Sequence, residues 1–451
     1  MSPELSDIQG LIHHHYGYPK LRHLLFKIGS PASGRQLLKF LAPRVTHAAM
    51  NLDPGPDVLL NVGITFAGLQ SLKLDLDLLA CFPIDFKEAP DSTVMGDVGA
   101  SHPDRWWKGF TDANLVVHLF ARSTETLEAI TSEVREAAAG NTEILPTSAG
   151  GPIEGGMLGT IRGELHFGYR DGISHPDVRW SDDPGSPGSI DYRNFLLGYS
   201  TPQIPSSPKV FASVPASARA TGLARNGSYS VFRVLIQNVA AFNQFLAAEG
   251  PRAFPELPPT DAQELLAAKL MGRWRDGTPL IRSPVAPDIA FANDNSFNYS
   301  QDAAGLRCPI SAHIRVTNPR DQALDPPPKV IGVPQVIRRG APFGTKLEGT
   351  VDDNQERGLA GLFICSSITR QFYTLMEWMK ENSFSPSFQD PRAQDPLANH
   401  EVPSASKEFL IPTESGVRSV TLPNMVTTRG TAFFLLPSLT AINRLAGDDR
   451  I

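Results

Sequence analysis

A carboxylate stands between two glycines in the segment Phe167-Gly168-Tyr169-Arg170-Asp171-Gly172-Ile173-Ser174. Glycine lets the backbone come close to a bulky partner and adopt dihedrals that other residues avoid, which suits an acid aimed into a tight pocket. Three more islands carry chemistry. His313 lies in the small, apolar stretch Cys308-Pro309-Ile310-Ser311-Ala312-His313, with Arg315 and Arg320 close behind. Arg338 and Arg339 are adjacent in an extended-looking segment, where neighbouring side chains point to opposite faces. Asp395 precedes Pro396 in Gln394-Asp395-Pro396-Leu397 and has the type needed to orient a histidine. Taken singly, each has a plain structural explanation. Asp-Gly is a common turn dipeptide, a lone histidine is usually a satisfied core residue, and paired arginines often end a strand.

Taken together, the islands supply one acid, one imidazole, one guanidinium and spare cations, and a haem peroxidase needs that set. A neutral imidazole ligates the iron while a carboxylate holds its other N–H and raises its basicity. A second acid must move a proton between the two oxygens of hydrogen peroxide, and a fixed positive charge must favour their separation. Burial raises the pKa of such an acid and a neighbouring arginine lowers it, so residue types alone leave the protonation state of Asp171 open. The two propionates of a haem need cations, and Arg315 and Arg320 are the expected pair.

The rest of the sequence sets bounds. The 451 residues are too many for one ordinary core, and 41% hydrophobic with 20% charged residues is ordinary globular composition. A net charge of -6 gives no basic face for nucleic acid. No apolar run approaches the roughly 20 residues that span a bilayer. Three cysteines far apart argue against a disulfide framework and, with an N-terminus unlike a signal peptide, place the protein in the cytoplasm, with non-classical secretion still open. Consecutive His13, His14 and His15 do not converge on a helix or a strand, so they are given no metal role.

Strand-then-helix grammar must position these residues. Residues 58–66 and 114–121 read as buried strands, and Ser123 caps a helix to Gly140 with Leu127, Ile130 and Val134 on one face. Residues 229–236 form another strand, after which Asn238 caps a helix ending at Gly250. A further helix runs from Thr260 to about Arg273, with Thr260 and Gln263 as a capping box. Strands at 358–366 and 431–436 flank a last helix ending near Lys380. The expected fold is α+β, two ferredoxin-like domains each with an antiparallel sheet covered by helices. The boundaries are 1–180, a Pro/Ser/Gly-rich connection at 181–222, and 223–451. A parallel doubly wound sheet is the weaker choice, because no Gly-x-Gly-x-x-Gly turn follows a strand.

The ordered motifs resemble the dye-decolourising peroxidase family along most of the chain, in its larger fungal and bacterial branch. Gly168, Asp171 and Gly172 match the family's Gly-x-x-Asp-Gly signature. Asn226-Gly227-Ser228-Tyr229 with Val231-Phe232-Arg233, and Lys269-Leu270-Met271-Gly272-Arg273-Trp274, are similar to family core motifs. The resemblance implies haem b, two ferredoxin-like domains of the dimeric α+β barrel type, and oxidation of dyes and phenolic compounds by hydrogen peroxide. It makes His313 the proximal iron ligand, Arg338 the distal arginine, Arg339 its outward-facing companion and Asp395 the acid behind the ligand. Gly168, Gly172, Ile173 and Ser174 are expected at the cofactor together with one alternate pair of the strand after them, Leu362 and Ile364 or else Phe363 and Cys365, and Trp378 is the candidate surface relay for electrons. Ser174-His175 departs from the family's commoner Ser-Gln, so His175 either varies the pocket or faces the connection.

Other readings are a haem-handling protein with little peroxide turnover, which does not need Asp171, and an Asp/His hydrolase, which no Gly-x-Ser-x-Gly elbow supports. The chain is expected to be a monomer or a homodimer.

Overall fold

The computed structural model describes residues 2–147, 151–158, 163–186, 188–199, 222–324, 333–382, 390, 392–398 and 401–447. Its framework is antiparallel. Four strands from the first half lie side by side in the order Ile153–Gly156, Lys20–Ile28, Leu115–Ala121 and Val58–Ile64. Four from the second half run Val426–Leu436, Ser228–Gln237, Gly358–Cys365 and Ala341–Phe343. In each set the first and third strands of that half are central, which is the ferredoxin-like order. The sets meet at two thin seams, Ile64 opposite Leu435 and Gly155 opposite Phe343. The eight strands therefore close into a circuit, and full closure removes the exposed edges that invite aggregation. The fold is α+β, as expected.

Closure explains why these strands are apolar on both faces. Leu25, Leu59, Val116, Phe232, Leu362 and Phe434 share one buried cluster, and the neighbouring positions Leu24, Leu60, Val117 and Val231 belong to another. The second cluster is completed by the helices Pro31–Leu41 and Thr124–Ala138. Inside the first sits a polar exception. Nδ1 of His23 and of His118 are 2.8 Å apart, and both rings pack edge-on to Phe232.

Local signals placed most elements. Ser123 caps Thr124–Ala138 by accepting from the Thr126 amide, and Asn238 caps Val239–Ala253 by accepting from Ala241. The capping box at Thr260 and Gln263 is not formed. That helix is Pro259–Met271, so Thr260 lies inside its first turn and the N-cap is Pro258, which has no side-chain donor or acceptor. The helix before Lys380 is split into a π-helical stretch, Ile368–Tyr373, and an α-helix, Thr374–Lys380. Of the Pro/Ser/Gly-rich connection, residues 187 and 200–221 lie outside the described residues. Its first part is ordered by Tyr192 and Phe195, both fully buried, and by a parallel pairing of Val178–Arg179 with Ile190–Asp191. Among the described residues no helix is long and apolar enough to cross a membrane.

Candidate active site

The Asp171 loop belongs to the first half, but its aromatics are buried in the second. Phe167 stacks on Phe242 with centroids 4.2 Å apart, and the Tyr169 hydroxyl donates to the Ala267 carbonyl at 2.7 Å. Those partners lie on the helices Val239–Ala253 and Pro259–Met271. Backbone bonds finish the anchoring, from the Arg170 amide to the Arg275 carbonyl and from the Asp171 amide to that of Gly163. Gly168 has φ +81°, and a Cβ there would stand 2.1 Å from the Arg275 guanidinium. Its task is thus to let the loop fold down on Arg275, and it does not line the cavity as expected. Gly172, at φ +88°, would place a Cβ in open space. Its backbone requirement is conformational, and its amide donates to the Asp171 carboxylate at 2.7 Å.

A cavity of about 320 Å³ opens beyond this loop, lined by Asp171, Ile173, Ser174, His313, Arg320 and Arg338 among others. Arg338 is held by the short strand Ile337–Arg338, where it pairs with Phe363. Its Nη2 lies 3.4 Å from Asp171 Oδ1 and donates to the Ser174 carbonyl at 3.4 Å. Burial pushes the Asp171 carboxyl up. The Arg338 cation, the Gly172 amide, His175 and His15 outweigh it, and the net result lies below the usual carboxylate range. The contest left open by residue types is decided in favour of the anion.

His313 begins the short helix His313–Thr317. Its Nδ1 donates to Oδ2 of the fully buried Asp395 at 2.7 Å. The other carboxylate oxygen accepts from the amides of Leu397 and Ala398 at 2.8 and 3.2 Å, which fixes the acid. Nδ1 is thereby committed, and Nε2 is the nitrogen available as a ligand.

The structure redistributes the remaining arginines. Arg315 is 1% exposed and does not reach the cavity. Its guanidinium is spent on Asp302, the Cys308 carbonyl and Gln322, so the expected anion-binding role is corrected. Arg320 does line the cavity, and its companion is Arg273, to which no role was given from sequence. Both donate to Asn295 Oδ1, at 2.6 and 3.2 Å, and both lie over the Phe297 ring. Burial and the nearby Arg320 cation push Arg273 down to about 10. The Nε atoms of both arginines are buried without a hydrogen-bond partner. Two adjacent cations with unsatisfied donors form a place for anionic groups. The signals that could have found Arg273 were its place in the motif Lys269–Trp274 and its position just after Gly272, the left-handed residue that ends its helix.

Three more expectations change. Ile364 packs inside the strand circuit and does not line the cavity, whereas Gly361 and Phe363 do. Leu362 touches the cavity but also belongs to the interior cluster. Trp378 is only 8% exposed and packs with Val316 and Leu375, which is a poor surface position. Arg339 is not turned outward. It donates to the carbonyls of Leu11, Ile12 and His13 at 3.0, 3.4 and 3.2 Å, and so ties the N-terminal histidines to the distal strand.

No family model matches the chain. It is 28% identical over 480 residues to a protein named Peroxidase 2 from Mycetinis scorodonius, covering 97% of this chain and 86% of that one. A multifunctional dye peroxidase from an Amycolatopsis species is 30% identical over 292 residues, 62% of this chain and 60% of the relative. Among solved structures, an ancestral D-type dye-decolorizing peroxidase superposes with a TM-score of 0.84 at 26% identity, covering 98% of this chain and 99% of the other. Another, a dye-decolorizing peroxidase in complex with 2,6-dimethoxyphenol, has a TM-score of 0.82 at 24% identity, with 98% and 99% covered. Fold and full-length similarity together define a peroxidase. Over nearly its full length the chain is similar to dye-decolourising peroxidases.

Proposed function

We propose that this protein binds haem b in the cavity between His313 and the Asp171–Arg338 pair and uses hydrogen peroxide to oxidise dyes and phenolic compounds. One observation carries the reading: a single cavity is lined by a histidine with an acid behind it, an acid paired with an arginine, and a two-arginine anion site. The donor set fits the group. His313 Nε2 would hold the iron, and Arg273 with Arg320 would hold the propionates. Bound there, haem supplies an iron centre that accepts oxidising equivalents from peroxide and passes them on one electron at a time.

The chain's own residues do the rest. Asp395 keeps the His313 proton on Nδ1 and raises the basicity of Nε2. Asp171, held as an anion, would take a proton from one oxygen of hydrogen peroxide and return it to the other, which leaves as water. Arg338 would donate to the departing oxygen and stabilise the negative charge that grows on it. The phenolic ligand of the 2,6-dimethoxyphenol complex supports the class of reducing substrate. A cytoplasmic location is supported by three buried, free thiols, Cys81, Cys308 and Cys365.

The test is the absorption spectrum of the purified protein before and after one equivalent of peroxide. A Soret band that changes on adding peroxide is expected; no Soret band after haem reconstitution overturns the reading. Asp171→Asn separates turnover from simple haem handling. It is expected to slow the peroxide reaction by about 10²–10⁴-fold, and unchanged turnover overturns the role of Asp171.

A further inference from the structure

The N-terminal histidine tract, without a role in the sequence, ends close enough to Asp171 for the charge of His15 to act on its carboxyl. Arg339 clamps the carbonyls at the end of the short helix Gly10–His13. The chain then brings the His15 ring to 5.7 Å from the ring of His175. His13 packs on Trp180 at 4.8 Å, and the His14 Nε2 donates to the Ala48 carbonyl at 2.7 Å, so these two rings stand apart from the approach. His175 directly follows Ser174, whose carbonyl accepts from Arg338, and lies four residues from Asp171. Both of its ring nitrogens are buried and neither has a hydrogen-bond partner. Leaving a buried polar atom unpaired costs about 1–3 kcal/mol, so an imidazole with two of them has not been placed for stability alone.

We propose that His175, backed by His15, is a second proton-carrying group that acts through Asp171. When Asp171 is protonated, its Oδ–H proton passes by way of a water to a ring nitrogen of His175, leaving a carboxylate and an imidazolium. The same proton returns to the carboxylate or leaves to water past His15. No heavy-atom bond changes, and no reagent beyond water is needed. Asp171 thus stays available as a base at acid pH. The groups that face His175 are Arg338, Arg339, Asp171 and His15. Burial and the two guanidinium groups hold its imidazole down at about 4, against a pull upward from Asp171. Asp171 is itself held below its ordinary value by Arg338 and the Gly172 amide, against burial, so both groups titrate on the acid side and as a coupled pair. The inference rests on the proposed function of Asp171.

Two measurements test it in the full chain. The rate of the holoenzyme's reaction with hydrogen peroxide is followed from pH 3 to 8 for the wild type, His175→Gln and His15→Gln. Loss of His175 should lower the rate at least about fivefold more at pH 4 than at pH 7, with a smaller effect in the same direction for His15→Gln; a tenfold change corresponds to one unit of pKa. In parallel, histidine-selective ¹⁵N NMR identifies the His175 ring by its disappearance in His175→Gln. Its titration midpoint should fall when Asp171→Asn removes the neighbouring charge. An equal loss of rate at both pH values, no loss at all, or a midpoint indifferent to Asp171→Asn overturns the proposal. A wild-type protein that binds haem without reacting with peroxide fails the proposed function instead, and the NMR coupling can still be read.

Discussion

His313 and Asp395 are 82 positions apart, and the imidazole Nδ1 meets the carboxylate at 2.7 Å in the wall of one cavity. The acid is buried and doubly held by backbone amides, so it is a rigid acceptor and not a surface turn. Asp395→Asn removes the charge while keeping the shape. Substitutions behind a metal-ligating histidine cost about 10–100-fold in affinity or activity. A loss of that size is expected in haem affinity, followed by Soret titration, or in the peroxide rate.

Arg338 holds the Asp171 pKa down, so its removal should be visible as a pH shift. The base form of Asp171 is present above its folded pKa and is lost as pH falls through it. In Arg338→Leu, burial is opposed only by weaker groups and the pKa rises. The acid limb of the peroxide rate profile should therefore move to higher pH, in addition to a general loss from the missing positive charge. A limb that stays in place assigns it to some other group.

Arg233 in the second half meets Asp97 in the first through two bonds of 2.6 Å, and Thr431 and Thr428 accept one further bond each from its Nη1 and Nη2. Both side chains are essentially buried. Asp97→Ala leaves an uncompensated buried guanidinium, a change that costs about 3–5 kcal/mol. Denaturant unfolding should show this loss. The double variant Asp97→Ala with Arg233→Met should recover part of it.

The His23–His118 pair predicts acid sensitivity. Burial lowers His23 to about 3 and lowers His118 as well. Between that range and the unfolded value near 6.5, the unfolded chain binds protons that the folded chain does not. Stability must then fall as pH drops below about 6.5, by up to about 1.4 kcal/mol per pH unit for each histidine. His118→Phe should flatten the dependence of the unfolding free energy between pH 6 and 4. An unchanged slope removes the pair as its source.

Much of the site was legible because its chemistry is written in residue types and short spacings. Two glycines around Asp171 signalled a constrained acid. Periodicity and caps placed the strands and the helix after Ser123, since those depend on neighbours within a few residues. The stretch 358–365 showed the limit of that method. It is apolar on both faces, so no alternation distinguishes Ile364, which packs inside the strand circuit, from Phe363, which lines the cavity.

Sequence by itself determined that one acid, one imidazole and one guanidinium form a set, and in which order they occur. Only the tertiary structure decided which arginine serves which partner. Arg315 is nearest His313 in sequence, yet Asp302 and Gln322 claim it, and Arg273 joins Arg320 instead. Asp171 likewise reached its charge state only where a loop from one half was pinned among helices of the other, beside Arg338. A side chain's partner is fixed by what closes around it, and in this fold that ranges from the same segment, as for Arg315 and Gln322, to the other half of the chain, as for Asp171 and Arg338.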